Sequence, residues 1–197
     1  MQPRLLLEGI GLRYGRSWLF RNLSCSMEGG ESWALIGPNG SGKSSLLSVL
    51  AGFLTPTIGR IERYVQPQRL AWQSPHVQPP PELRVGDIVR DWSRQKEVSF
   101  SSSFYEQWAL PPERPLFQLS AGMRQRLFIA LSLSLPEGIL LLDEPSAFLD
   151  ESYRDRIHTE LIRRQGNPSF LIICATNDPS EASLFQKSLY LSSDGTN

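Results

Sequence analysis

Residues 37–45 read Gly-Pro-Asn-Gly-Ser-Gly-Lys-Ser-Ser, an order of glycines, lysine and hydroxyls suited to holding phosphate. Gly37, Gly40 and Gly42 allow backbone conformations and close approaches that a Cβ would block. Pro38, Asn39 and Ser41 complete a loop whose N–H groups can converge on phosphate oxygens ahead of a helix N-terminus. In that pattern Lys43 reaches the β- and γ-phosphates of a nucleoside triphosphate, and the Ser44 hydroxyl completes a Mg²⁺ shell. A hundred residues further on, Asp143 and Glu144 follow the apolar run Ile139–Leu142. The end of a buried strand is where α/β sheets place their ligands. Asp143 there suits the acidic residue that holds Mg²⁺ through water opposite Ser44. Glu144 suits the general base for water attacking the γ-phosphate. A glycine turn before a helix, or two solvated carboxylates at a strand end, would each be ordinary alone. Both in one chain point to a nucleotide site.

Those side chains need strands and helices to bring them together. Trp33–Ile36 is an uninterrupted apolar run, as expected of a strand buried on both faces. After the loop, Leu46, Leu47 and Leu50 recur at helical spacing and Gly52 stands where a C-cap belongs. Before it, "LSCSM" and "SWALIG" flank Glu28–Glu31, read as a tight reversal between two strands. The middle of the chain changes character: "QSPHVQPPPELR" and "LPPERP" are proline clusters that forbid long regular elements. Residues 74–135 read as a subsidiary helical lobe between stiff linkers. The strand–helix rhythm then resumes with "GILLLDE", a helix marked by Tyr153, Ile157 and Leu161 and closed near Gly166, the strand "SFLIICAT", and "SLYL" as an edge. The whole fits a parallel α/β core with an inserted helical lobe.

At 197 residues the chain is expected to be one domain over 1–197, large enough for its own core. Twenty basic and twenty acidic residues cancel, so no global field draws in nucleic acid or an anionic membrane. The longest apolar runs are too short to cross a bilayer, and the first residues lack a signal peptide's apolar region. A cytoplasmic location is expected. Cys25 and Cys174 read as buried thiols on strand faces, and His76 and His158 as surface histidines.

A further segment, "LSAGMRQRL" at 119–127, reads by itself as a Ser-Gly turn capping a helix. The phosphate loop, a glutamine at 73, this segment, "LLLDEP" and "SAFLD", in that order, resemble the ABC-type ATPases over essentially the whole chain. The resemblance implies a P-loop NTPase (RecA-like) core with an N-terminal antiparallel β subdomain and the inserted helical lobe. It implies ATP with Mg²⁺ as the bound species. It implies that Tyr14 stacks on adenine and that the Ser45 hydroxyl meets the α-phosphate. Gln73 would reach Mg²⁺ and the attacking water and hinge the lobe. Ser120 and Gly122 would clamp the γ-phosphate bound on a second subunit, and Asp150 would cross the junction. One loop and one signature per chain then imply a head-to-tail homodimer. A membrane partner's short helix would dock between Gln73 and the segment 75–81, where Trp72 and Trp92 are either anchors or core. The compact length and "LSAG" look most like haem-exporter-type ATPases of cytochrome c maturation.

Three positions depart from the family pattern: Ala121 for glycine, Met123 for glutamine, and Asn177 for the histidine that bridges γ-phosphate and catalytic glutamate. Asparagine donates through its amide but carries neither proton nor charge. Slow but real hydrolysis is therefore expected, since Glu144, Gln73 and the magnesium ligands survive. The reading is an ATP-hydrolysing subunit of an ABC transporter, peripheral on the inner membrane face through an integral membrane partner. The alternatives are a soluble non-transport ABC ATPase, a nucleotide-dependent binding module with little turnover and, last, a P-loop kinase.

Overall fold

A computed structural model describes residues 4–192. The first strand, β1 (Arg4–Tyr14), pairs antiparallel with β2 (Ser17–Glu28) on one side and β4 (Ile58–Tyr64) on the other. This three-stranded antiparallel sheet forms the N-terminal β subdomain. A second, five-stranded parallel sheet runs β5-β6-β7-β3-β8. Its members are β3 (Ser32–Ile36), β5 (Leu70–Gln73), β6 (Gly138–Asp143), β7 (Phe170–Ala175) and β8 (Lys187–Tyr190). The last is an edge strand, as "SLYL" suggests. The Glu28–Glu31 reversal is present, with Glu31 N–H donating to Glu28 O at 3.1 Å. It does not pair the strands it joins. Its role is to pass the chain from the antiparallel sheet to the parallel one.

The apolar runs of β6 and β7 divide their side chains between two layers, which is why neither strand alternates with polar residues. Ile139, Leu141, Leu171 and Ile173 face α1 (Lys43–Ala51) and the antiparallel sheet, in a layer with Leu46, Leu47, Leu50 and Phe20. Leu140, Leu142, Ile172 and Cys174 face α4 (Ala121–Leu133) and α5 (Glu151–Arg164), with Leu127, Ile157 and Leu161. Truncating one such leucine to alanine costs about 2–5 kcal/mol. Cys174 is fully buried, whereas Cys25 is half-buried with its thiol pushed up to about 11 by burial and by Glu31.

Between β5 and β6 lie α2 (Val85–Lys96), the short α3 (Ser103–Gln107) and α4. Helix α4 serves two masters: it packs on α2 and also on β5 and β6. Trp92 lies within this layer and donates to Ser134 Oγ at 3.1 Å. Trp72 packs in the other layer, 4.9 Å from the Phe53 ring.

Candidate nucleotide-binding site

The glycine loop joins the end of β3 to the start of α1. Gly37 adopts φ +151°, and a Cβ there would stand 2.2 Å from Leu191 O and 2.8 Å from Ser41 Oγ. Gly42 is the N-cap of α1 in the left-handed region, and no side chain caps the first turn. First-turn N–H groups have no partner within a helix, so the amides of Lys43, Ser44 and Ser45 are left for an external acceptor. Ser41 Oγ is buried without a hydrogen-bond partner. Such an orphan costs about 1–3 kcal/mol, and a phosphate oxygen in the loop would relieve it. Lys43 folds back over the loop, its Nζ donating to Gly37 O at 2.8 Å and Pro38 O at 3.1 Å. Burial lowers the Lys43 pKa, against the pull of Glu144 and Asp143. A desolvated ammonium resting on neutral carbonyls is poised to exchange them for anionic oxygens.

Asp143, at the end of β6, is 2 % exposed and receives Ser44 Oγ at 3.0 Å and Ser74 Oγ at 3.3 Å. Burial raises its pKa, while the two hydroxyls and His76 oppose the shift. Gln73 is turned into the same buried network. Its Oε1 accepts from Asp143 N–H at 3.1 Å and its Nε2 donates to Gln125 at 3.2 Å. Ser44, Asp143, Ser74 and Gln73 thus gather hard oxygen donors beside the loop, the set that suits Mg²⁺ carried in by phosphates. Among the described residues no three His, Cys, Asp or Glu side chains converge as a metal cage.

Glu144 takes φ +48°, unusual for a side chain with a Cβ. The conformation is held from both sides: its N–H donates to Ala175 O at 2.8 Å, and its carbonyl accepts from Gln125 Nε2 at 2.9 Å. Its carboxylate lines an open cavity of about 390 Å³ together with Phe148, Thr176 and Asn177. There Asn177 Nδ2 donates to Glu144 Oε1 at 2.7 Å and to Asn39 Oδ1 at 2.8 Å. Asn177 therefore bridges the glycine loop to Glu144.

Other residues stand apart. Tyr14 ends β1 with 59 % of its surface exposed, so it is no core tyrosine and is open to stacking. Ser120 is the N-cap of α4, its Oγ accepting from Met123 N–H at 3.2 Å. Gly122 is required sterically, since a Cβ would come within 2.7 Å of Phe148 O. Asp150 caps α5, accepting from Tyr153 N–H and the Ser152 hydroxyl, and these hydrogen bonds lower its pKa. No hydrogen bond among the described residues joins Ser120, Gly122 or Asp150 to residues 37–45.

Sequence reasoning overlooked Gln125 and Ser74. Gln125 lies one helical turn before Ile129 on the buried stripe of α4, and a glutamine on an apolar stripe is the signal that could have found it. The reading of His158 is corrected: its side chain is only 19 % exposed, with Nε2 3.1 Å from Ser146 Oγ and 3.5 Å from Glu181 Oε1. His76 is exposed, as expected.

The model of the family described as "ABC transporter" matches residues 20–147. The chain is 32% identical over 191 residues to the cytochrome c biogenesis ATP-binding export protein CcmA of Rhizobium meliloti, covering 89% of this chain and 92% of that one. It is 32% identical to the spermidine/putrescine import ATP-binding protein PotA of Legionella pneumophila, covering 91% of this chain but only 54% of that protein. Among solved structures, a dimeric ATP-binding cassette in a post-hydrolysis state bound to ADP and Pi superposes with TM-score 0.81 at 20% identity, covering 98% of this chain and 95% of that one. That last likeness speaks for the fold, and with the loop, the Ser44–Asp143 contact and the family match it leads to one conclusion: the chain belongs to the ABC transporter family of ATP-binding subunits.

Proposed function

We propose that two copies of this chain sandwich MgATP head to tail and hydrolyse it to drive a separate membrane-embedded partner. The observation that carries the reading is the Ser44–Asp143 hydrogen bond, which joins residues 99 positions apart beside an uncapped helix and an orphaned loop hydroxyl. The loop amides, Lys43 and Ser45 hold the phosphates, and Tyr14 stacks on the base. Ser44 and Asp143 hold Mg²⁺, which when bound neutralises charge developing on the phosphates. Glu144 takes the proton of the attacking water. Gln73, now bonded to Asp143 N–H and Gln125, would serve as a further ligand for the ion and hinge the helical lobe. Ser120, Gly122 and Asp150 act on the other copy's nucleotide. The chain 1–197 works as one ATPase unit. No helix among the described residues is long and apolar enough to cross a membrane. Attachment to the inner membrane face is assigned to the partner. ATP favours the closed pair and hydrolysis reopens it.

A second reading, a nucleotide-dependent module with little turnover, draws on Asn177, whose two amide protons are already spent on Glu144 and Asn39. Measuring phosphate release and nucleotide affinity together decides between them. The transporter reading expects turnover that rises when the membrane partner co-purifies. Tight binding with no release, alone or in complex, would favour the module.

A further inference from the structure

The loops bearing Glu144 and Asn177 are joined twice. One link is the exposed Asn177–Glu144 hydrogen bond in the cavity. The second lies beneath it and is buried. Ser146, two residues past Glu144, donates from Oγ to Glu181 Oε1 at 2.5 Å. Glu181 belongs to the short helix α6 (Pro179–Ala182), which begins directly after the Asn177–Asp178 turn. Ser146 is 8 % exposed and Glu181 2 %. With Ser146 donating to Glu181, its oxygen accepts from His158 Nε2–H on α5, 3.1 Å away. The carboxylate and the serine meet the same ring nitrogen, so this is no nucleophile–base–orienter relay. It is a brace.

The two links face different fates when nucleotide enters. Both Asn177 amide protons are committed to Glu144 and Asn39, so a γ-phosphate can recruit that amide only by taking one of them. When the proton taken is the one donated to Glu144, the upper link opens while the chemistry needs Glu144 and residue 177 in register. From this we infer that Ser146 and Glu181 are positioning residues that hold the Glu144 and Asn177 loops at a fixed spacing during turnover, with His158 orienting the serine hydroxyl. The inference rests on the roles proposed for Glu144 and Asn177. It explains why a carboxylate is kept almost fully buried against a serine and a histidine, its side-chain partners among the described residues. Buried polar groups are stabilising only when satisfied, and here the satisfaction is spent on joining two loops.

The test is steady-state ATPase kinetics of the complete chain in its native complex, with affinity for a non-hydrolysable ATP analogue and thermal unfolding measured beside it. Ser146→Ala and Glu181→Ala should each lower kcat about 10- to 100-fold, the scale of a small misplacement of reacting groups. KM and analogue affinity should stay within about twofold, because no phosphate ligand is touched. Ser146→Thr, which restores the hydroxyl, should recover most of the rate. Because the two residues act as one brace, the double variant should be no slower than the worse single one. Glu181→Gln keeps side-chain shape and an acceptor, and should fall less far than Glu181→Ala even if the latter folds poorly. A wild-type kcat for Ser146→Ala, losses that multiply, or a Ser146→Thr protein as slow as alanine with an unchanged melting temperature would overturn the brace. Glu144→Gln is the accompanying control. If it hydrolyses at the wild-type rate the base assignment fails instead, whereas a dead Glu144→Gln beside an unaffected Ser146→Ala sinks the brace alone.

Discussion

The glycine-loop end of the molecule and the Ser120 end use similar polar side chains in opposite ways. At the loop, Asp143 and Gln73 are almost wholly buried and hydrogen-bonded to each other, with Ser44 half-buried beside them, and one hydroxyl, Ser41, is left buried and unpaired. At the other end Ser120 and Asp150 are exposed caps, each side chain accepting hydrogen bonds from its own first helical turn. The first region is a socket assembled within one chain. The second is a pair of helix caps with no hydrogen bond, among the described residues, to the loop at 37–45. On the proposed reading, binding nucleotide needs one copy and turning it over needs two.

The sharpest ways to break this contrast fall on the socket. Glu144→Gln should cut phosphate release about 10²–10⁴-fold while leaving nucleotide affinity intact. A normal rate would remove Glu144 as base. Ser120→Arg should leave the single chain's affinity for an ATP analogue unchanged yet abolish hydrolysis in the complex. An equal loss of affinity would place Ser120 in the socket. Asn177→His should raise kcat by up to about tenfold, since an imidazole can carry the proton that the amide cannot. A flat result takes position 177 off the reaction path. Tyr14→Ala should raise KM for ATP about 3- to 10-fold, the worth of one aromatic stack. The smallest effect is on stability: Asp150→Ala removes the cap of α5 and should lower Tm by about 2–4 °C.

How far the sequence announced all this depends on the kind of signal. The socket was legible because the phosphate pattern is local and ordered, and because Ile139–Leu142 marks a buried strand whose end must carry Asp143. Gly52 as a C-cap and Gly166 near the end of α5 were legible for the same reason, being single residues with one conformational use. The reversal at Glu28–Glu31 was visible as a turn, but which strands it separates is set by long-range pairing that local residues do not encode. His158 was misread because its partners, Ser146 and Glu181, lie 12 and 23 residues away and meet it only after α5 and α6 dock. Gln125 was missed because its burial comes from α4 leaning on β5 and β6, not from its neighbours in sequence. The relation between Asn177 and Asn39 spans 138 residues and could be drawn only from coordinates.

The claim that socket and cap meet across two copies is tested most directly by mixing. Lys43→Ala and Ser120→Arg chains should each form inactive complexes, the first lacking both sockets and the second both clamps. Mixed in equal amounts before assembly, half the pairs hold one of each and retain one intact composite site. Activity should then return to about a quarter of wild type if the sites work independently. Continued inactivity of the mixture, with mixed pairs verified, or full activity of the Ser120→Arg complex by itself, would contradict the account.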